Sequence, residues 1–450
     1  MNTGQWISEQ VVARLRPASA RAAAPAPRST EERLRARLRQ ADEALSPRAL
    51  RQAHEQLKAV VDPLVSEVEG GRRAQAVIDW YAQAPLEERR DLWLLMSERF
   101  MADPQKVKQA QAEYLAAVGT PGEAAAEVLY RRATVSPRRR LLQRFSAHPQ
   151  GIRFLVDMRA ELQPALRNDA RLQALDVEME YMFSTWFDVG FLELRRISWD
   201  SPASLIEKLI RYEAVHDVRG WNDMKNRLDS DRRCYGFFHP SLPGEPLIFV
   251  EVALVNEIAG SITPLLDETA APVDLARATT AIFYSISNTQ TGLKGVSFGD
   301  ALIKRVVDTL KTEFPRLRTF ATLSPIPGLR AWLQKNAPTE LLKAWERHAE
   351  LDEKAPERAA LLGWAARYLG QALHEGKPVD AVARFHLGNG ARVEQLHWGA
   401  DPSPKGIKQS YGLMVNYLYD LRRLDKNRAL LAAGKIPIAG TIEALYRKLS

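Results

Sequence analysis

The sequence predicts a mixed α+β fold, in which an all-helical bundle is followed by an α/β domain. Residues 31–187 are dominated by Ala, Leu, Arg, Glu and Gln, and their apolar residues recur at helical spacing. Residues 188–450 instead contain short runs rich in β-branched and aromatic residues, which alternate with helical or turn-rich stretches. The fold class follows from this change in residue composition and apolar spacing near residue 188.

Turn-forming residues divide the helical part into pieces. Proline follows Ser46, Asp103 and Ser136, and a polar residue before proline is typical of a helix start. Each piece is long enough for a helix. We therefore expect a bundle of several helices over 31–187, without strands and without a cluster of chemistry-bearing side chains.

The α/β part is predicted to contain buried strands at residues 247–254, 281–287 and 318–323. The segment 333–373 is predicted to be helical, and a short mixed region follows at 385–398. This order of elements favours an α/β domain over 188–450.

The first 30 residues form a separate segment. They carry four arginines against the single acidic residue Glu9, together with an Ala/Pro-rich stretch. This composition is typical both of a disordered tail and of a targeting segment, and it lacks the long apolar core of a secretory signal. We expect a cytoplasmic protein, with a mitochondrial or other organellar matrix as the alternative. The single cysteine, Cys234, suits a reducing compartment and excludes an intramolecular disulfide framework.

Composition argues against nucleic-acid and membrane partners. The net charge of +8 arises from 63 Lys and Arg against 55 Asp and Glu, an excess spread over 450 residues. The densest basic run, residues 131–144, is expected to be a solvated helix face, and it lacks the interleaved aromatics that stack on bases. No run of about 18 apolar residues predicts a membrane span.

A glycine-bearing loop at residues 284–300 joins a predicted strand to an amphipathic helix that begins near Gly299. The first N–H groups of such a helix lack intrahelical partners, so they favour a phosphate. The spacing fits neither a Walker loop nor a Rossmann fingerprint. A plain strand-to-helix turn remains the alternative for the loop taken by itself.

The segment Lys294-Gly-Val-Ser-Phe-Gly299 resembles the acyl-CoA loop of the GNAT acetyltransferase superfamily, Arg/Gln-x-x-Gly-x-Gly/Ala. Lys294 and Ser297 depart from that pattern, and Gly299 fits it. Three later strings, at residues 319–328, 384–391 and 406–419, closely resemble the malonyl-CoA decarboxylase family. The likeness covers about residues 187–419, and it implies an acetyltransferase-like (GNAT) catalytic domain after an oligomerising helical domain.

The resemblance also implies the site residues. Its catalytic serine, histidine and tyrosine correspond to Ser324, His386 and Tyr419, with Asn416 beside them. The residues expected to bind the CoA pyrophosphate through their backbone are Lys294, Gly295, Val296, Ser297, Phe298, Gly299 and Asp300. Taken one by one, a serine before proline is more often a turn residue, and a tyrosine in an apolar string is more often core. The pattern leaves open whether Tyr417 or Tyr419 faces the site.

The implied reaction converts malonyl-CoA to acetyl-CoA and CO2. It needs an oxyanion partner and a proton donor, and histidine suits proton delivery near neutral pH. No metal or redox cofactor is expected, since CoA is part of the substrate.

Two alternatives remain at this point. One is a CoA-dependent acyltransferase, and the other is a non-catalytic sensor or scaffold that binds malonyl-CoA. The family likeness, together with a helical domain that has no other evident purpose, implies a homo-oligomer, either a dimer or a tetramer.

Overall fold

The chain divides into two compact units between Arg144 and Phe145. The computed structural model describes residues 44–296, 301–347 and 351–447, so the predicted tail of residues 1–30 lies outside it. The domain boundary expected at residues 187 and 188 stays a prediction. No helix in the described ranges is long and apolar enough to cross a bilayer.

Helices build the described part of the first unit, and no strand occurs among its described residues. They are α1 (Pro47–Val61), α2 (Glu67–Gln83), α3 (Leu86–Arg99), α4 (Pro104–Ala117), α5 (Glu123–Thr134) and α6 (Pro137–Ser146), the last of which extends into the second unit. The predicted helix starts are confirmed, since the Ser46 and Asp103 side chains accept hydrogen bonds from backbone N–H groups of the first turn.

The basic run of residues 131–144 is not entirely a solvated face, so that expectation is wrong for two of its arginines. Arg138 and Arg144 are both buried. Arg138 donates to the backbone oxygens of Met96 and Ser97 in the last turn of α3, and Arg144 donates to the backbone oxygen of Val65. These guanidinium groups satisfy carbonyls that helix ends and turns leave without intrahelical partners.

The second unit holds an eight-stranded sheet. Its strands are β1 (Glu193–Ile197), β2 (Arg232–Phe238), β3 (Pro246–Val255), β4 (Thr280–Asn288), β5 (Thr319–Thr322), β6 (Ser324–Pro325), β9 (Arg392–His397) and β10 (Met414–Leu418). The order is β1-β2-β3-β4-β5-β10-β6, and β9 also pairs with β10. A separate hairpin joins β7 (Leu373–His374) to β8 (Lys377–Pro378).

The strands pair antiparallel except for β4 and β5, which are parallel. This pair is short, because it stops at Phe283 opposite Thr322. The register of β4 against β3 also shifts here, which leaves Tyr284 as an extra residue in β4. Such bulges bend a strand and redirect its side chains. The sheet therefore opens between β4 and β5 beyond Phe283.

Twelve helices accompany the sheet in the described residues. They are α7 (Gly151–Leu162), α8 (Gln173–Trp186), α9 (Ala203–Tyr212), α10 (Trp221–Arg227), α11 (Ala301–Glu313), α12 (Leu329–Asn336), α13 (Thr339–Trp345), α14 (Pro356–Gln371), α15 (Ala381–Gly388), α16 (Pro404–Ser410), α17 (Leu424–Ala432) and α18 (Gly440–Arg447). The predicted mixed fold is confirmed, as are the three predicted strands. Of the described residues in the segment predicted to be helical, 333–373, most lie in α12, α13 and α14, and the last, Leu373, lies in β7.

Candidate active site

Ser324 lies where the parallel strand pair ends. β5 follows β4 as far as Phe283, and the chain then leaves it, because Ser324 pairs with Val415 of β10. β4 meanwhile continues to Asn288. The opening between the two strands therefore begins next to Ser324, whose side chain is 5% exposed.

His386 lies in the last turn of α15, and Asp380 fixes the start of that helix. Asp380 Oδ1 accepts hydrogen bonds from two backbone N–H groups of the first turn, at 2.9 and 3.0 Å. Asp380 Oδ2 accepts from the Gly328 N–H and from the Tyr368 hydroxyl, each at 3.3 Å. Since Gly328 lies four residues after Ser324, Asp380 ties the His386 helix to the chain that carries the serine.

Hydrogen bonds join the three predicted catalytic side chains in a row. Ser324 Oγ lies 3.3 Å from His386 Nε2, and His386 Nδ1 lies 2.7 Å from the Tyr419 hydroxyl oxygen. On its other side, the Ser324 hydroxyl donates to Thr322 Oγ1 at 2.8 Å. The structure thus brings together Ser324, His386 and Tyr419, which are distant in sequence.

Tyr417 also contacts the histidine, although in a different way. Its ring stacks on His386, with centroids 4.7 Å apart and planes 24° apart. Tyr417 lies near the end of β10, Tyr419 follows the last residue of that strand, and residues two apart in extended chain share a face. Both tyrosines therefore face the site, Tyr419 through its hydroxyl and Tyr417 through its ring.

Burial keeps the side chains of this row neutral. It lowers the pKa of His386 to about 3, because the charged imidazolium would lose its hydration. It raises the pKa of the Tyr419 hydroxyl well above its ordinary value, against a smaller opposing effect of Arg428. A neutral imidazole has one N–H donor and one nitrogen acceptor. The proton that His386 offers is therefore the one on its neutral ring.

Asn416 lies behind the row. Its side-chain N–H groups donate to the backbone oxygens of Thr322 and Ala259, at 2.7 and 3.0 Å, and its Oδ1 lies 2.5 Å from His397 Nε2. These bonds connect β10 to β5 and to the chain after β3. The structure thus places Asn416 where it supports the strand under Ser324.

The described part of the predicted phosphate loop comprises Lys294, Gly295 and Val296. The remaining predicted residues, Ser297, Phe298, Gly299 and Asp300, lie outside the described ranges. A 3-10 turn, Thr291–Leu293, leads from β4 into the loop, and α11 is described from Ala301 onward. The predicted strand, loop and helix order is confirmed. A cleft of about 300 Å³ borders the loop, lined in part by Leu247, Asn288, Thr291, Lys294 and Gly295.

The side chain of Arg159 in α7 anchors this loop. Its buried guanidinium donates to the backbone oxygens of Gly292 and Lys294, at 2.9 and 2.8 Å. It also pairs with Asp176 at 2.8 Å and Glu180 at 3.3 Å. Because two carboxylates and two carbonyls converge on one buried cation, the loop has a fixed anchor on the helices before the sheet.

Sequence reasoning missed Thr322, Asp380 and Arg159. Thr322 lies two residues before Ser324, so strand periodicity could have placed both hydroxyls on one face. Asp380 precedes a helical run and carries the ordinary sequence signal of an N-cap. Arg159 lies more than 130 residues before the loop that it anchors, and no local pattern signals that contact.

Within the described ranges, no group of three or more His, Cys, Asp or Glu side chains is arranged to hold a metal ion. The expectation that the reaction needs neither metal nor redox cofactor stays a prediction.

Comparisons with known proteins identify the family of this chain. The family models for the N-terminal and C-terminal domains of malonyl-CoA decarboxylase match residues 100–187 and 190–449. A relative from Anser anser anser, named "Malonyl-CoA decarboxylase, mitochondrial", is 35% identical over 401 residues, covering 80% of each chain. A relative of the same name from Mus musculus is 36% identical over 400 residues, covering 79% of this chain and 81% of the relative.

Solved structures give the same result. The crystal structure of malonyl-CoA decarboxylase from Rhodopseudomonas palustris has a TM-score of 0.79 and 40% identity, covering 89% of this chain and 100% of that one. The enzyme of that name from Agrobacterium vitis also has a TM-score of 0.79, with 37% identity, covering 88% of this chain and 99% of that one. The chain therefore belongs to the malonyl-CoA decarboxylase family.

Proposed function

We propose that this chain converts malonyl-CoA to acetyl-CoA and CO2, as a carboxy-lyase that needs no metal or redox cofactor. The observation that carries the proposal is the row of Ser324, His386 and Tyr419 at the opening between β4 and β5. The row offers a hydroxyl and an imidazole side by side, which are the groups that orientation and proton transfer require.

The CoA part of the substrate extends along the opening. The pairing of β4 with β5 stops at Phe283, but β4 continues for five more residues, which is about 17 Å of extended chain. A strand edge of this kind offers backbone N–H and C=O groups to an extended, amide-bearing chain such as pantetheine. The pyrophosphate then binds the backbone of residues 294–300 at the start of α11.

Loss of CO2 leaves an electron pair on carbon 2 of the malonyl group, and this pair delocalises into the thioester carbonyl as an enolate. The reaction is fastest when the breaking bond lies out of the carbonyl plane and overlaps its π system. Ser324 orients the malonyl group for this overlap, because its hydroxyl stands at the point where the strands part.

His386 then protonates carbon 2 through Nε2. The carbon of a thioester enolate is a stronger base than imidazolate, the conjugate base of the neutral ring, so a neutral imidazole can protonate it. Tyr419, 2.7 Å from Nδ1, donates its proton to that nitrogen as the Nε2 proton leaves. Afterwards Nε2 takes up a proton from solvent and the Nδ1 proton returns to the Tyr419 oxygen, which restores the starting state. Asn416 acts as a positioning residue behind the row.

Self-association is part of the proposal, as a dimer or a tetramer. The helices α4 and α5 expose apolar side chains, including Leu115, Val128 and Leu129, which are 64%, 46% and 51% exposed. Burial of such a surface against a second copy stabilises an oligomer through the hydrophobic effect. Light scattering on the full chain is expected to give a multiple of the 50.6 kDa chain mass. A monomer at all concentrations contradicts this.

The cytoplasm is the proposed location, and an organellar matrix is the alternative. Imaging of a fluorescent fusion, with the first 30 residues present or removed, tests both. Movement out of an organelle on removal supports the alternative.

The test of the function is product analysis of the purified full chain with malonyl-CoA, in the presence and absence of a chelator. The proposal predicts one CO2 and one acetyl-CoA per malonyl-CoA consumed, at a rate that the chelator leaves unchanged. CoA release that depends on an added amine would establish the acyltransferase instead. Binding without CO2 release would leave a malonyl-CoA sensor.

A further inference from the structure

Thr322 lies at the end of the row farthest from Tyr419, and its hydroxyl oxygen accepts two hydrogen bonds. One comes from the Ser324 hydroxyl at 2.8 Å, and the other from the Tyr417 N–H at 3.1 Å. Thr322 itself is fully buried, and Asn416 holds its backbone oxygen. The Thr322 oxygen therefore has a fixed position beside the Ser324 hydroxyl, as a second partner of that hydroxyl in addition to His386 Nε2.

We propose that Thr322 is a positioning residue that sets the direction of the proton chain, by holding the Ser324 proton away from His386. With that proton on the Thr322 side, Ser324 Oγ presents a lone pair to His386 Nε2, 3.3 Å away. Nε2 must then carry the ring proton. Nδ1, left as the acceptor, takes the hydrogen bond of the Tyr419 hydroxyl at 2.7 Å.

The opposite direction is the one used by hydrolases, in which a serine donates to histidine and becomes a nucleophile. It would require the Ser324 proton to point at Nε2 and the Nδ1 proton to point at the Tyr419 oxygen. Thr322 opposes that arrangement, because its oxygen would lose a donor in a buried place. Two side chains that could form a nucleophilic pair are thereby held as a proton-donating pair.

This inference rests on the proposed function for its consequence, since a donor at Nε2 is what carbon 2 requires. On substrate binding the malonyl oxygens compete with Thr322 for the Ser324 proton, and the Nε2 proton is left to face carbon 2. The ring tautomer itself can be measured on the free protein, so it is independent of decarboxylation.

The test is ¹⁵N NMR of histidine-labelled full chain without substrate, in which the His386→Gln variant identifies the ring signals. We expect His386 to carry its proton on Nε2, and the Thr322→Val variant to shift the ring toward the Nδ1-protonated form. Thr322→Ser, which keeps the hydroxyl, is expected to retain the original tautomer.

Kinetics give a second readout. Thr322→Val is expected to lower kcat at least about tenfold with KM for malonyl-CoA changed less than about threefold, and Thr322→Ser to restore most of kcat. An Nδ1-protonated ring in the wild-type protein would overturn the inference, even if the valine variant does not fold. Equal losses in the serine and valine variants, or an unchanged tautomer in the valine variant, would also overturn it. If the wild-type ring is protonated at Nε2 while no CO2 forms, the proposed function fails and the assignment of the proton stands.

Discussion

His386 lies face to face with Tyr417, with ring centroids 4.7 Å apart and planes inclined by 24°. The stack fixes the plane of the imidazole, so that one nitrogen points to Ser324 and the other to Tyr419. Among the described residues the Tyr417 hydroxyl has no hydrogen-bond partner, whereas the Tyr419 hydroxyl bonds to the histidine. The two tyrosines thus contact His386 in different ways, Tyr417 through its ring and Tyr419 through its hydroxyl.

This difference predicts a lower kcat for one of two matched substitutions and little change for the other. Tyr419→Phe removes the donor to Nδ1, and we expect kcat to fall by about 10- to 100-fold, a part of the usual contribution of acid–base groups. Tyr417→Phe removes a hydroxyl without a partner and keeps the ring, so kcat should stay within about twofold. Steady-state kinetics with malonyl-CoA check both. Equal losses in the two variants would contradict the roles assigned here.

The pH dependence of kcat/KM follows from the burial of His386. The ring is neutral far below its ordinary pKa of 6.5, because burial lowers the pKa to about 3. We therefore expect the NMR signals of His386 in the free protein to show no titration near 6.5, and kcat/KM to show no inflection from this residue there. A His386 titration midpoint near 6.5 contradicts the neutral site.

The same pKa shift predicts how acid affects stability. The unfolded chain takes up the imidazole proton near pH 6.5, and the native chain does so only near pH 3. The native state therefore loses stability relative to the unfolded state as the pH falls from 6.5 toward 3. Urea unfolding of His386→Gln should show a weaker acid destabilisation than the wild type. An identical dependence in both proteins would contradict the shift.

Arg159→Lys tests the anchor of the phosphate loop. A lysine keeps the charge but cannot serve two carboxylates and two carbonyls at once, so we expect a loss of about 1–3 kcal/mol in stability and a KM raised at least about tenfold. The matched control is Arg195→Lys, which alters an exposed ion pair with Glu193 and should cost at most about 1 kcal/mol. Denaturant unfolding and initial rates measure both effects. A KM that stays at the wild-type value would show that the Arg159 anchor is not needed for CoA binding.

Gly328→Ala tests the link between the two catalytic side chains. An added Cβ would lie 2.3 Å from the Tyr368 hydroxyl oxygen, so this hydroxyl, which donates to the cap residue Asp380, must shift. We expect a destabilisation of about 1–3 kcal/mol together with a lower kcat. Gly388→Ala, in the same helix as His386, meets no atom within 4 Å and should stabilise by about 0.5–1 kcal/mol. Normal activity in Gly328→Ala would show that this link is not needed.

Much of the fold could be predicted from the sequence because its signals are local. The strands β3, β4 and β5 are apolar runs, and the helices α1, α4 and α6 begin at Ser-Pro or Asp-Pro pairs. β2 gave no such signal, since it begins with two arginines, Arg232 and Arg233. The ion-pair partner of Arg233, Glu313 of α11, lies far away in the sequence.

That Ser324, His386 and Tyr419 belong to one candidate site was predicted from the resemblance, and the structure brings these side chains together. Their connection was not predictable. It depends on Asp380 tying a helix to a distant glycine and on Tyr417 stacking from a neighbouring strand, contacts between residues that are far apart in the chain. The burial of Arg138 in the basic run could not be predicted for the same reason, because its guanidinium bonds to α3 carbonyls about 40 residues earlier in the chain.

The most direct test of the catalytic row is CO2 release from malonyl-CoA by Ser324→Ala, His386→Gln and the double variant, each compared with the wild type. If the two side chains act as one unit, each single change should lower kcat by about 10²- to 10⁴-fold, and the double variant should be little slower than His386→Gln. Binding of CoA, measured by calorimetry, should persist in all three. Wild-type rates of CO2 release in His386→Gln would contradict the account, because carbon 2 would then receive its proton from another group.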